Sequence, residues 1–474
     1  MFAAARRNAK RLALVLAFSG GGALSGLVAP VAADTLADAL KGAYITSGLL
    51  EQNRALLRAA DEDVAAAVAA LRPIVRYSGS LARGFGEQQT AGVLSSLDRS
   101  SASVSLIAEL LLYDAGAGQA AQQAARETVL ATRQSLLSLE QSVLLRAISA
   151  FMNVRSARQF VALRENNLRL LTEELRAAKD RFDVGEVTRT DVALAEARLA
   201  SAQSGLATAQ GNLQSAAAEY RNVVGQAPGN LVSPSGLPRL GTDVKTAEAL
   251  AMRVHPDLKA AQHQVKAAEL NIQRAKAATA PRVTANGRLT ASDTFSSSNY
   301  SRDGSIGIEV GGVIYQGGAL ASGVRRAMAG RDAQRGNLHT VQRNVAQNVG
   351  NSYAQLAAVK ANLMASEERI KAARVAFRGV REEATLGART TLDVLDAEQE
   401  LLDAEAARIS AQADLYVAAY AVLQATGALT AKDLGLNVPL YDAAAYYDLV
   451  QGAPVARSKQ GAKLDQVLKA LQKE

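Results

Sequence analysis

Apolar and polar residues alternate one for one in four short stretches and recur at helical spacing almost everywhere else. In the stretch 72–86, Val75, Tyr77, Leu81 and Phe85 fall on one side and Arg76, Ser78 and Ser80 on the other. In 100–112, Ala102, Val104, Leu106, Ala108 and Leu110 oppose Ser101, Ser103, Ser105 and Glu109. In 281–293, Val283, Ala285 and Leu289 oppose Arg282, Thr284, Asn286 and Arg288, and in 304–315, Ile306, Ile308 and Val310 oppose Ser305, Gly307 and Glu309. Period-two alternation over about ten residues predicts strands of a membrane β-barrel, apolar side outward. Four strands close no barrel, and an open sheet edge is not tolerated in lipid, so the barrel must be shared between chains. Two chains would give eight strands and three would give twelve.

Proline is absent from Ile74 to Ala227 and from Arg282 to Val438, spans rich in alanine, leucine, glutamine, glutamate and arginine, which favours long helices. Helices are expected over about 36–71, 116–184 and 188–224. The middle one would be ~100 Å long at 1.5 Å per residue. The two shorter ones match its length only if they stack end to end, so each long helix is expected beside a composite one.

The pattern occurs twice. Gly185 and Gly387, Thr188 and Thr390, Asp191 and Asp393, and Glu196 and Glu398 are each 202 positions apart (387 − 185 = 202), as are Tyr113 and Tyr315, Phe151 and Tyr353, and Gly225 and Gly427. Upstream the offset grows to 208 at Pro73 and Pro281 (281 − 73 = 208), which predicts a longer loop in the first copy. The chain therefore divides into a first repeat at 34–226, a linker at 227–245, a second repeat at 246–427 and an equatorial and C-terminal segment at 428–474. Pro228, Pro234 and Pro238 break the helix in the linker. In the last segment 442–460 is expected to be irregular, with a helix near 462–474.

Each repeat turns at a glycine. A left-handed glycine ends one helix, and the T-x-x-D that follows, Thr188 to Asp191 and Thr390 to Asp393, is a capping-box variant that starts the next. These are the tips of two helical hairpins, 183–190 and 385–392. The two tip sequences, V-G-E-V-T-R-T-D-V-A-L-A-E-A-R-L from Val184 and L-G-A-R-T-T-L-D-V-L-D-A-E from Leu386, resemble the periplasmic tips of the TolC family of outer-membrane channels. The resemblance covers nearly the whole chain after residue 33. It implies a mixed α and β membrane protein, a trimeric 12-stranded outer-membrane β-barrel with four strands per chain, continuous with a long α-helical periplasmic barrel.

The resemblance also implies roles. Asp393 and Asp396 fall on the family's positions for carboxylate rings at the periplasmic constriction, where six carboxylates in a narrow pore would attract cations. Read by the residues alone, they are acids in a first helical turn, favoured by the dipole there. Thr190, Asp191 and Arg389 match a polar latch that keeps the entrance closed, with an Asp191–Arg389 pair expected because an arginine at a helix start needs a partner. Ala384 stands where the family's best-known form has a latch tyrosine, and Phe182 at the equivalent place in the first repeat cannot donate a hydrogen bond. Val184, Gly185, Leu386 and Gly387 are the implied docking tips for a periplasmic adaptor, which connects the homotrimer to an inner-membrane ABC or proton-driven transporter. The function implied is an exit duct of a tripartite efflux or type I secretion system.

Composition narrows the field. Arg6, Arg7, Lys10 and Arg11, an apolar stretch from Leu12 to Val28 and the small residues Val31-Ala32-Ala33 read as a secretory signal over 1–33. Its removal takes away four basic residues, so the net charge falls from +8 to +4 (8 − 4). That balance, with 4% aromatic residues and no tryptophan, gives no nucleic-acid surface. There is no cysteine, so no disulfide and no lipid-attached N-terminus. His255, His263 and His339 show no zinc spacing. No catalytic set emerges, so neither enzyme nor cofactor is expected. Outer-membrane lipid is the expected surroundings of the barrel. A membrane-anchored coiled-coil or adhesin-like protein is the alternative, which would carry sustained heptads without glycine tips. A periplasmic adaptor would carry one hairpin and lipoyl-like β modules.

Overall fold

The computed structural model describes residues 34–241, 243–295 and 300–471. The signal segment 1–33 lies outside them.

Strands β1 (Ile74–Thr90), β2 (Val93–Tyr113), β3 (Arg282–Thr294) and β4 (Tyr300–Gly311) form one antiparallel sheet in the order β1-β2-β3-β4. The register sets Tyr77 opposite Leu106 and Leu106 opposite Leu289, and it aligns Val75, Ala108, Gly287 and Ile306. One face is therefore apolar, and it is bare: Tyr77 is 86% and Ile306 95% exposed. The other face is tied by polar contacts, Ser80 to Ser103 at 2.8 Å, Arg76 to Glu109 at 2.9 Å and Asn286 to Glu309 at 3.0 Å. A satisfied polar face opposite a bare apolar one inverts a soluble sandwich and suits a wall between lipid and a wet lumen. Among the described residues β1 and β4 have no further strand partner, so both edges are open.

The extra residues of the first repeat do not form the expected loop. They lengthen the strands: β1 and β2 have 17 and 21 residues against 13 and 12 for β3 and β4. The β1–β2 turn is two residues long, Ala91 and Gly92, both with positive φ, the turn whose twist suits a hairpin.

The helices of the first repeat are α1 (Leu36–Thr46), α2 (Gly48–Ala69), α3 (Ala117–Asp183) and α4 (Arg189–Val224). Those of the second are α5 (Val244–Val254), α6 (Pro256–Ala277), α7 (Ala319–Thr385) and α8 (Thr391–Ala425). The 67 residues of α3 and of α7 each span ~100 Å. The span read as one helix over 36–71 is two. Ser47 is extended and caps α2, its hydroxyl accepting from the Leu50 amide at 3.3 Å. His255 breaks the second repeat in the same way, just before Pro256.

The reason for the break is the end of α4. The Thr46 hydroxyl donates to the Val224 carbonyl at 3.3 Å, and a Cβ on Gly42 would lie 2.8 Å from that carbonyl oxygen. α1 packs against α3 and the end of α4, and α2 packs on α3 after the break. In the second repeat Gly427 closes on the His255 backbone, and α6 and α8 both pack against α7. Leu50 and Leu57 of α2, Leu144, Ile148 and Phe151 of α3, Tyr220 of α4 and Leu429 bury almost completely in the main core around this level. Full burial of each such side chain stabilises by ~1.5–3 kcal/mol.

The stretch 442–460 is not irregular throughout. It contains α9 (Ala445–Val450), followed by α10 (Lys459–Leu471). The Tyr446 hydroxyl donates to Glu62 at 2.7 Å, the Arg72 guanidinium donates to the carbonyls of Gly452 and Ala453, and the Arg54 guanidinium lies 5.1 Å from the ring centres of both Tyr44 and Tyr441. These contacts hold the segment against α2. No helix among the described residues is long and apolar enough to cross a membrane.

Candidate functional site at the hairpin tips

Both hairpins end in the same hydrogen-bonded geometry. The Gly185 amide donates to the Phe182 carbonyl and the Glu186 amide to Arg181, each at 2.9 Å. In the second tip Gly387 donates to Ala384 at 3.1 Å and Ala388 to Glu383 at 2.9 Å. This pair of bonds is a Schellman motif, which needs the left-handed φ of +82° at Gly185 and +77° at Gly387. Beside the glycines Val184 is 71% and Leu386 84% exposed, so each tip presents one apolar side chain to solvent.

A full capping box starts each outgoing helix. Thr188 and Asp191 bond reciprocally at the start of α4, as do Thr390 and Asp393 at the start of α8. The Thr188 hydroxyl holds the Asp191 carboxyl below its ordinary range. The Thr390 amide and hydroxyl do the same for Asp393. Both therefore stay ionised through the physiological range.

The latch residues sit differently from expectation. Thr190 is exposed in the first turn of α4. Arg389 precedes the N-cap Thr390, outside the first turn of α8, and its Nε donates to Glu383 of the same hairpin at 2.8 Å. Asp191 is engaged by Thr188. The chain thus supplies the partner that the helix-start arginine called for from the preceding helix, and the Asp191–Arg389 pair is not made within one chain.

What joins the two hairpins is a seam a few turns from the tips. Arg198 of α4 donates to Asp396 of α8 at 2.7 Å. Arg381 of α7 lies 3.4 Å from Glu174 of α3. Asn167 of α3 donates to Glu398 of α8 at 2.9 Å, in a buried position. Leu168 and Leu171, Leu199 and Ala202, and Leu395 pack beside it. Sequence reading found Asp396 as an open pore carboxylate and missed its arginine. It also missed Asn167, Glu174, Arg198, Arg381 and Glu398 as linkers. Glu398 did carry a signal: it falls three residues after Leu395 and four before Leu402, on the apolar stripe.

The histidines serve locally. His255 caps α6, His263 Nδ1 lies 2.6 Å from Glu127, and His339 Nδ1 lies 3.3 Å from Gln342. No group of metal-binding side chains occurs among the described residues.

A bare apolar sheet wall on ~100 Å helical hairpins defines a membrane-anchored helical duct. A family model for outer membrane efflux proteins matches residues 43–226 and 249–428, one block per repeat. The chain belongs to that family, and its place is the outer membrane. It is 35% identical over 445 residues to the outer membrane efflux protein BepC of Brucella suis, which covers 93% of this chain and 95% of BepC. It is 25% identical over 303 residues to the alkaline protease secretion protein AprF of Pseudomonas aeruginosa, 62% of this chain and 63% of AprF. Among solved structures, the outer membrane protein VceC of Vibrio cholerae superposes with a TM-score of 0.71 at 20% identity, over 83% of this chain and 96% of VceC. Family and neighbours are channels rather than enzymes.

Proposed function

We propose that three copies of this chain assemble into a passive exit duct that carries substrates from an inner-membrane pump across the periplasm and the outer membrane. The observation that carries this reading is the sheet: a bare apolar face with two open edges, mounted on helices long enough to reach across a periplasm. Pairing β1 with β4 of the next chain would satisfy both edges, and three chains would close twelve strands. Relatives that bear the names efflux protein and protease secretion protein support an export role.

The tips Val184, Gly185, Leu386 and Gly387 dock a periplasmic adaptor, which links the duct to an ABC or proton-driven transporter. Asp393 and Asp396 line the constriction, with the charge of Asp396 partly offset by Arg198. Thr190, Asp191 and Arg389 act in the latch by reaching the neighbouring chain, while the seam holds the two hairpins of each chain together. The purified protein in planar bilayers should give cation-selective channels, and a strain lacking it should lose export until it is restored. A coiled-coil adhesin would give no conductance. Cysteines at Asp191 and Arg389 should crosslink between chains and not within one; crosslinking only within a chain would remove both from an interchain latch.

A further inference from the structure

Of the three contacts in the seam, two are ion pairs, one exposed on both sides and one with Glu174 half-buried. The third is not. Glu398 is 4% exposed, and its Oε1 accepts from Asn167 while its Oε2 is buried with no hydrogen-bond partner. A carboxyl walled in this way is costly as an anion and comfortable as an acid. Its equivalent in the first repeat, Glu196, is exposed and paired with Lys179 at 2.9 Å, so the repeat itself does not require a buried acid here.

We propose that Glu398 is a positioning residue of the duct entrance, whose proton keeps the two hairpins of each chain packed together and whose loss loosens them. The proposal rests on the duct reading given above.

The surroundings favour the neutral form. From α3, Asn167 offers one amide hydrogen, and Glu174 adds a repelling charge. From α7, Arg381 attracts, but Glu174 already shares it at 3.4 Å. From α4, Arg198 is committed to Asp396. Leu171, Ala202 and Leu395 supply the rest of the wall. Burial pushes the Glu398 carboxyl up to about 7 from an ordinary 4.5, with the Asn167 bond and Arg381 opposing and Glu174 adding.

The sign follows from linkage. A carboxyl with a raised value in the packed seam binds its proton there more tightly than in a separated, solvated seam. Packing is at full strength below about 4.5, weakens as the pH rises, and reaches its minimum above about 7. Across that window the ratio of packed to separated seam falls on the order of 100-fold in each chain. Asp393 does not contribute, because Thr390 holds it ionised throughout. The entrance is thus tighter in an acidified periplasm and easier to open near neutrality.

The test is single-channel recording of the assembled protein from pH 5 to pH 8. Wild type should open more with rising pH, by several-fold in open fraction. Glu398→Gln keeps the acceptor for Asn167 but cannot ionise, so it should hold the low value across the range. Glu398→Leu should be equally flat in pH but more open, having lost the Asn167 bond. A second readout uses the absence of tryptophan from the chain. Leu199→Trp places one beside the seam, and its emission should shift to the red between pH 5 and pH 8 unless Glu398→Gln is also present. A Glu398→Gln channel that keeps the wild-type pH profile overturns the proposal and leaves the duct reading standing. Wild type with no conductance at any pH overturns both.

Discussion

The two long helices have equal length and equal places in their repeats, yet α3 buries nineteen residues and α7 seven. The chemistry of the two sequences does not explain this, since both are built largely of alanine and long polar residues. Their neighbours do. α3 is surrounded by α1, α2, α4, α6 and α8, whereas α7 packs against α6, α8 and the short α5. The bare side of α7 still carries apolar residues. Met328, Met364 and Val375 are all exposed, and their spacings of 36 and 11 (364 − 328 and 375 − 364) are close to whole helical turns. Exposed apolar residues on a side with few neighbours leave room there for a partner. The long helix of the first repeat is covered by its own chain, whereas under the proposed trimer a second copy covers that of the second repeat.

The comparison breaks most visibly under charge. Ile148→Asp in α3 should prevent the chain from folding, because it strands a carboxylate in the main core. Met364→Asp with Val375→Asp should leave a helical monomer by circular dichroism but no oligomer on native gels. Normal oligomers from the double variant would mean that the bare side of α7 faces water.

The next largest effect concerns the matched pair Phe151 and Tyr353. Phe151→Ala removes a fully buried ring and should cost ~3–5 kcal/mol. Tyr353→Phe removes one hydroxyl bond to the Gly241 carbonyl and should cost ~1 kcal/mol. Thermal melting of the assembled protein ranks them, and a Tyr353→Phe loss as large as that of Phe151→Ala would show that the hydroxyl bond to Gly241 matters as much as a buried ring.

A smaller effect separates contacts between hairpins from contacts within one. Asp396→Asn breaks the tie to Arg198 and should raise single-channel conductance a few-fold. Lys179→Ser breaks the tie to Glu196 inside the first hairpin and should leave conductance unchanged. If the two variants behave alike, the seam does not restrain the entrance.

The smallest expected effect compares the two capping acids. Asp191→Ala and Asp393→Ala should each cost ~1 kcal/mol of helix stability. Only Asp393→Ala should also lower cation selectivity. Loss of selectivity from both would make the first hairpin part of the pore lining.

The tips and the strands were legible because their causes are local. A left-handed glycine and a Thr-x-x-Asp act within a few residues, and alternation on a strand is a property of the strand. The break at Ser47 was not legible, because it answers to Val224, which arrives from 177 positions away (224 − 47). The docking of Tyr446 on Glu62 and of Arg72 on Gly452 is equally remote in sequence. Arg389 was read as a first-turn residue of α8 paired with Asp191 of the other hairpin; it precedes the N-cap Thr390, and within the chain it pairs with Glu383, six residues away. Glu398 shows the opposite limit. Its place on the apolar stripe was visible, but that its second oxygen has no partner depends on what α3 and α7 bring to it.

The unequal strand lengths have a consequence for what the cell shows to the outside. β3 begins its pairing with β2 at Ser101, and above that level the eight pairs from Arg83 with Ser100 to Thr90 with Val93 form a two-stranded ribbon on their own. At ~3.3 Å per residue this ribbon is ~26 Å tall. On the outward face of its lower end the Arg83–Asp98 ion pair, 2.9 Å apart, lies beside the exposed Phe85, a charged and aromatic level that suits the lipid–water boundary. In the proposed duct an antibody, a phage or a protease approaching this end of the sheet would meet the β1–β2 ribbon of the first repeat. An epitope placed between Ala91 and Gly92 would stand on a mast clear of the bilayer.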